Sequence, residues 1–196
     1  MKNVLRFILM SLAAFFLLIT GCRNNSKTPM AENAELSVEQ LVQKGEYLVT
    51  IMGCNDCHSP KEMGPQGPVL IADLILSGYP ASRPFQKAEP GLIEKGWILF
   101  NADLTAAAGP WGVSFAANLT SDQTGIGNWT EENFRRALKE GKYKGLAGLR
   151  MLLPPMPWAN FAEISDEDIK SIFQYLKSTK PVNNVVPLPI SPEQNQ

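Results

Sequence analysis

Cys54-Asn55-Asp56-Cys57-His58 decides how this 196-residue chain is read. Two thiols three positions apart, with a histidine directly after the second, form an attachment site for a c-type haem. The spacing has a chemical reason. The thiols add to the two vinyl groups on one porphyrin edge, and a single helical turn matches that separation. His58 is then held under the iron as its proximal imidazole. A thioredoxin-like redox pair would sit at the end of a strand in a βαβ setting, and no such pattern surrounds residues 40–60. A zinc site needs four ligands, and the only other thiol is Cys22.

Cys22 closes the segment Leu18-Ile19-Thr20-Gly21-Cys22. Ahead of it, Lys2 and Arg6 form a basic region and Phe7 to Ile19 an apolar core, the pattern of an export signal. The core falls short of the roughly 20 residues that a spanning helix needs. The small residues before Cys22 resemble a bacterial lipobox. That resemblance implies cleavage before Cys22 and its lipidation, with an uncleaved anchor or a soluble exported protein as rivals. Export and c-type haem imply each other, because bacteria attach this haem outside the cytoplasm. The expectation is a membrane-anchored lipoprotein facing the periplasm or the cell exterior.

The whole chain carries a formal charge of −1, and removal of the two leader cations makes it more acidic. Nucleic-acid binding wants a basic face and is not indicated. Length predicts one domain. The expected organisation is a leader over 1–21, a lipid-anchored polar tether over 22–36, the folded domain over 37–182, and an extended or disordered tail over 183–196.

Within the domain, Ser37 is the expected cap of a helix reaching about Ile51. Its apolar face is Leu41, Leu48 and Ile51, with Val38, Tyr47 and Val49 adding to it. Thr130 caps a second helix, Glu131 to Glu140, with Phe134, Ala137 and Leu138 on one side and Gly141 as its stop. Ser165 starts a third and Asp168 completes a capping-box pattern. The apolar face there is Ile169, Ile172, Phe173 and Leu176. Residues 59–128 are rich in Gly and Pro and predict loops, a short helix or two and a small β ribbon.

This order resembles class I cytochrome c: an N-terminal helix, the haem turn, a loop-rich middle, a helix, a methionine loop and a C-terminal helix. The resemblance implies an all-α, cytochrome c-like helical fold around one covalent haem c, with an extended loop-rich insertion over 71–128. It also implies that the first and last helices cross, with Gly45 allowing close approach near Phe173, Tyr175 and Leu176. Asn118-Leu119-Thr120, Gly127-Asn128-Trp129-Thr130 and Leu153-Pro154-Pro155-Met156-Pro157-Trp158 are similar to the larger cytochromes c that serve dehydrogenases and oxidases. A second Cys-x-x-Cys-His is absent from the sequence, so one haem is expected.

His58 is the only histidine, so the second axial ligand is expected from methionine, the Met/His pattern that raises the potential. Met30, Met52, Met63, Met151 and Met156 are available after the leader. Met156 is the choice, because its flanking prolines stiffen the loop and the family places its axial methionine there; Met151 is second. The resemblance further implies that a proline carbonyl holds the His58 ring, with Pro68 preferred over Pro65. Trp129 and Trp158 either pack on the porphyrin or serve as core. The aromatics of 71–128 are expected to cover haem edges and extend the core.

The function these readings imply is one-electron transfer between redox protein partners, a dehydrogenase donor and an oxidase acceptor, with no catalytic residues. The alternatives are a peroxidase-like haem enzyme, which the lack of a distal histidine argues against and Arg150 near the ligand loop keeps open, and an electron-transfer subunit of a dehydrogenase or oxidase complex.

Overall fold

The computed structural model describes residues 35–85, 87 and 89–194. The expected leader, Cys22, Met30 and the tether up to residue 34 lie outside the described residues. Among those described, no helix is long and apolar enough to cross a membrane.

Three helices begin where the sequence places them. In α1 (Val38–Ile51), the Ser37 hydroxyl accepts the Gln40 N–H, and the Gln40 side chain accepts the Ser37 N–H in return. Helix α2 (Cys54–His58) is the single turn carrying the thiols. A short α3 (Pro90–Glu94) follows in the loop-rich middle. Helix α4 (Glu131–Glu140) is capped by Thr130 and stopped by Gly141 in the left-handed conformation, φ 65°. In α5 (Asp166–Ser178), the Ser165 hydroxyl accepts the Asp168 N–H at 3.1 Å. The Asp168 carboxylate turns to Lys44 on α1, 2.6 Å away.

α1 and α5 cross at Gly45. A Cβ there would lie 2.0 Å from the Ser171 carbonyl oxygen and 2.7 Å from the Tyr175 Cβ. The buried face of α1 is Leu41, Gly45 and Val49, a spacing of four residues that lays one stripe along the crossing. Val38, Tyr47 and Ile51, expected to share the apolar face, are exposed. Val49 joins Ile126, Phe134, Leu138, Ile169, Ile172, Phe173 and Leu176 in the core, and the Phe134 and Phe173 rings pack 5.7 Å apart.

The all-α expectation is corrected, because the fold is mixed. Strands β1 (Lys61–Gly64) and β2 (Gly67–Leu70) form one antiparallel hairpin. Strands β3 (Leu99–Phe100), β4 (Ala106–Gly109) and β5 (Gly112–Phe115) form a three-stranded antiparallel sheet in that order. Both tight hairpins are closed by the same pattern, Gly64-Pro65-Gln66-Gly67 and Gly109-Pro110-Trp111-Gly112, with the last glycine at φ 122° and 90° respectively. Proline pre-sets the turn and glycine supplies the positive φ. The strands are at most four residues long, too short for a period-of-two signal to stand out. β4 reads Ala-Ala-Ala-Gly, a poor strand composition, yet all four residues are buried.

Asp103, in the β3–β4 turn, is the polar centre of the insertion. Its carboxylate meets Arg83 at 2.7 Å and accepts from the Thr105 hydroxyl at 2.7 Å and from Asn101 at 2.8 Å. Lys61 Nζ donates to the Asp103 carbonyl and also to the carbonyls of Asn55, Asp56 and Ser59, which ties this turn to α2. Burial opposes the Asp103 charge, but its bonds from Thr105 and Arg83 hold the carboxyl below its ordinary value. Its contribution to stability is therefore present above the ordinary carboxylate range and is lost as pH falls through the lowered folded value. Asp103→Ala strands a half-buried Arg83 and is expected to cost about 3 kcal/mol in a urea titration at neutral pH. The gap from wild type should narrow in acid, and a constant gap would show that the charge contributes nothing.

The terminal segment was expected to be an extended or disordered tail. It is extended, but over 182–190 it is built into the domain. Asn184 is buried, and Ile190 pairs with Val113 on β5 through both backbone bonds.

Candidate haem site

The site begins where α1 ends. Gly53 takes a left-handed turn, φ 68°, and a Cβ there would sit 2.8 Å from the Asp56 carboxylate. The chain thus reverses into α2 at once. Cys54 and Cys57 lie three residues apart on that turn and so share a face. They are free thiols.

Both thiols and His58 line a cavity of about 450 Å³, within the range of cofactor sites. Its walls are largely apolar. Sheet residues Ala106, Ala107 and Phe115 form one wall, Phe134, Leu138 and Ile172 of the helices another, and the loop Leu152 to Pro157 closes a third. The insertion is therefore a wall of the cavity, and the small side chains of β4 leave the space open. Tyr79 packs on Phe115 with ring centroids 4.7 Å apart, backing this wall from behind.

His58 is held at two points, one on its ring and one on its backbone. Nδ1 bonds the Ala117 carbonyl at 2.8 Å, which leaves Nε2 as the nitrogen available to a metal. The His58 carbonyl accepts the Gly78 N–H at 2.8 Å. The sequence reading that assigned this role to a Pro68 carbonyl is corrected. Pro68 is an exposed residue of β2, paired with Met63, on a hairpin that does not border the cavity. Ala117 carried no sequence signal, because a backbone carbonyl has no residue identity.

Burial sets the charge state of these groups. It pushes the Cys54 thiol up to about 11, aided by the neighbouring Asp56 and Cys57, and it raises Cys57 as well. It lowers His58, against the opposing effect of the Ala117 bond. At neutral pH the thiols are protonated and the imidazole is neutral. A redox dithiol needs the opposite shift, towards the thiolate. No cluster of three or more His, Cys, Asp or Glu side chains suited to a metal ion occurs among the described residues.

Met156 lines the same cavity. Its loop is braced by the Ser114 hydroxyl of β5, which donates to the Pro154 carbonyl at 2.6 Å. Met52 also borders the cavity, beside Cys54. Met151 pairs with Lys142 away from the lining, and Met63 is exposed on β1. Trp129 borders the cavity, whereas Trp158 does not. Trp158 packs on Gly141, where a Cβ would lie 2.4 Å from the indole, so it serves the joint between α4 and the methionine loop. Arg150 is in the lining, its guanidinium 4.1 Å above the centre of the Tyr143 ring. Two thiols on one turn, an imidazole with its second nitrogen tied off, a thioether and apolar walls suit a haem.

Known proteins give the same direction. No protein-family model matches the sequence. The chain is 37% identical over 144 residues to a fructose dehydrogenase cytochrome subunit of Gluconobacter japonicus, covering 72% of this chain and 22% of that one. It is 29% identical over 154 residues to the cytochrome c subunit of a quinone-dependent alcohol dehydrogenase of Gluconobacter oxydans, covering 78% and 24%. It is 28% identical over 138 residues to a gluconate 2-dehydrogenase cytochrome c subunit of Pantoea cypripedii, covering 70% and 23%. The chain thus spans about a quarter of the length of these relatives. Over most of its own length, the sequence is that of a cytochrome c-like protein.

Proposed function

We propose that the chain is a one-electron carrier holding a single covalent haem c. In this reading Cys54 and Cys57 would attach the porphyrin, and His58 and Met156 would hold its iron. The observation that carries it is that all four side chains border one largely apolar cavity. When bound, the haem supplies a ferric/ferrous couple, and the protein supplies position and surroundings. His58 is oriented by the Ala117 carbonyl, which makes the ring a better electron donor. The apolar walls exclude water. Arg150, the cation of the lining, suits a porphyrin carboxylate. Held by both His58 and Met156, the iron would offer no site to a substrate.

The named relatives are subunits of dehydrogenases, and this supports a dehydrogenase as the electron donor. An oxidase as acceptor fits a carrier placed outside the cytoplasm. The basic and apolar leader with Cys22 supports export and lipid anchoring.

The test is the optical spectrum of the protein matured with haem. The expected result is one haem per chain that survives denaturation, low-spin in both oxidation states, with no rapid binding of carbon monoxide. A high-spin ferric form that binds carbon monoxide readily would overturn the carrier reading in favour of a haem enzyme. Haem released on denaturation would overturn the covalent link through Cys54 and Cys57.

A further inference from the structure

The strap formed by residues 182–190 grips both segments that hold His58. Asn184 donates to the Ser77 carbonyl at 2.7 Å and to the Tyr79 carbonyl at 2.9 Å, and its side-chain oxygen accepts the Ala81 N–H at 2.8 Å. Between those two carbonyls lies Gly78, whose N–H bonds the His58 carbonyl. Gly78 also rests on the backbone of Ala116 and Ala117, where a Cβ would come within 2.6 Å of three backbone atoms.

The second grip is on the segment that supplies the Ala117 carbonyl. Asn118 follows Ala117, and its amide donates to the Val182 carbonyl of the strap at 2.8 Å, to the Thr124 hydroxyl at 3.1 Å and to the Asn184 carbonyl at 3.4 Å. Its oxygen accepts the Thr120 N–H and hydroxyl. The Asn184 N–H closes the arrangement on Thr124. Asn118 and Asn184 are 5% and 8% exposed. A buried amide that lost these partners would carry an uncompensated desolvation cost, so the two asparagines hold the strap and loops in one register.

We propose that Asn118 and Asn184 are positioning residues for the haem ligand, and that the C-terminal strap, acting through them, sets the His58–Ala117 hydrogen bond. The proposal rests on the haem reading above. A firmly placed carbonyl makes the imidazole a stronger donor, which favours ferric iron. Loosening it weakens that donation and moves the midpoint potential upward.

The experiment compares full-length, haem-loaded wild type with Asn184→Ala, Asn118→Ala and Ile169→Val. The last removes one methylene-sized group from the core of α5, outside the cavity lining. All three should melt earlier than wild type. Only the two asparagine variants should show a raised midpoint potential and faster solvent exchange of the His58 Nδ1 proton in NMR spectra. Lower melting temperatures with potential and exchange unchanged would overturn the proposal and leave the strap a purely structural brace. Should either variant fail to fold, the wild-type Nδ1 proton still decides. Slow exchange supports a held bond, and exchange at the rate of an exposed ring overturns it. Absence of low-spin haem in wild type marks failure of the haem reading itself, whereas low-spin haem with unshifted variants marks failure of the strap alone.

Discussion

Met156→Ala is expected to abolish the weak red-edge absorption of a methionine sulfur bonded to ferric iron and to lower the midpoint potential. Axial ligands tune haem potentials over about 0.8 V, so the loss of a thioether should move the couple by something on the order of 0.1 V or more. The loop makes this a test of ligation more than of folding. Met156 is only partly buried and packs at the margin of the core, and its loop stays anchored to β5 through Ser114 and Pro154. Truncation should therefore leave the haem attached through Cys54 and Cys57. Met52 provides the contrast, since it also borders the cavity. Met52→Ala should keep the absorption. If the band persists in Met156→Ala and vanishes in Met52→Ala, the ligand assignment is reversed.

Gly45→Ala should push the two crossing helices apart and destabilise the helical core. The new Cβ would stand 2.0 Å from the Ser171 carbonyl oxygen and 2.6 Å from its carbon. Those are backbone atoms of α5, so no side-chain rotation can relieve the contact. The helices must separate, and Leu41 and Val49 lose close contact along with them. Overpacking usually costs about 1–3 kcal/mol, and the helix preference of alanine returns about 1 kcal/mol. Because the contact is with backbone atoms that no rotamer change can move, the cost lies at the upper end, and a net loss of about 2 kcal/mol is expected in a urea titration. Gly148→Ala is the control, because nothing lies within 4 Å of a Cβ there. A Gly45→Ala protein within about 0.5 kcal/mol of wild type would mean that the crossing is looser than the structure shows.

The readable parts of this fold share one property, that their causes are local. Ser37, Thr130 and Ser165 each accept an N–H three residues ahead, so a short window contains both partners. Gly141 stops α4 for the same kind of reason. The hairpins are legible only in part, as a small β ribbon somewhere within 59–128. Gly-Pro-x-Gly occurs at 64–67 and again at 109–112, and each occurrence makes a two-residue hairpin turn. The turn signal was in the sequence, but strands of four residues, one of them nearly all alanine, did not show an alternating face. The stripe on α1 also shifted. Of the expected face, Leu41 and Val49 lie inward on either side of the close approach at Gly45, whereas Val38, Tyr47 and Ile51 are exposed.

Lys61 shows where local reading stops. As a sequence position it is one lysine after a proline. In the fold its ammonium gathers four carbonyls from α2, from the residue after it and from the β3–β4 turn. Asn184 is the more extreme case, since its partner Ser77 is 107 residues away. Neither role leaves a pattern in any window.

By itself, the sequence determined the spacing of the thiols and imidazole on the Cys54–His58 turn, the helix starts and stops, and the proline-rich surroundings of Met156, because spacing and capping act over three or four neighbouring residues. The tertiary structure alone decided that Ala117 and not Pro68 holds His58, that Trp129 and not Trp158 borders the cavity, and that the last segment is a strap. Those outcomes turn on which carbonyl, ring face or amide is brought within reach. Every residue carries the same carbonyl, so packing across the whole chain makes that selection.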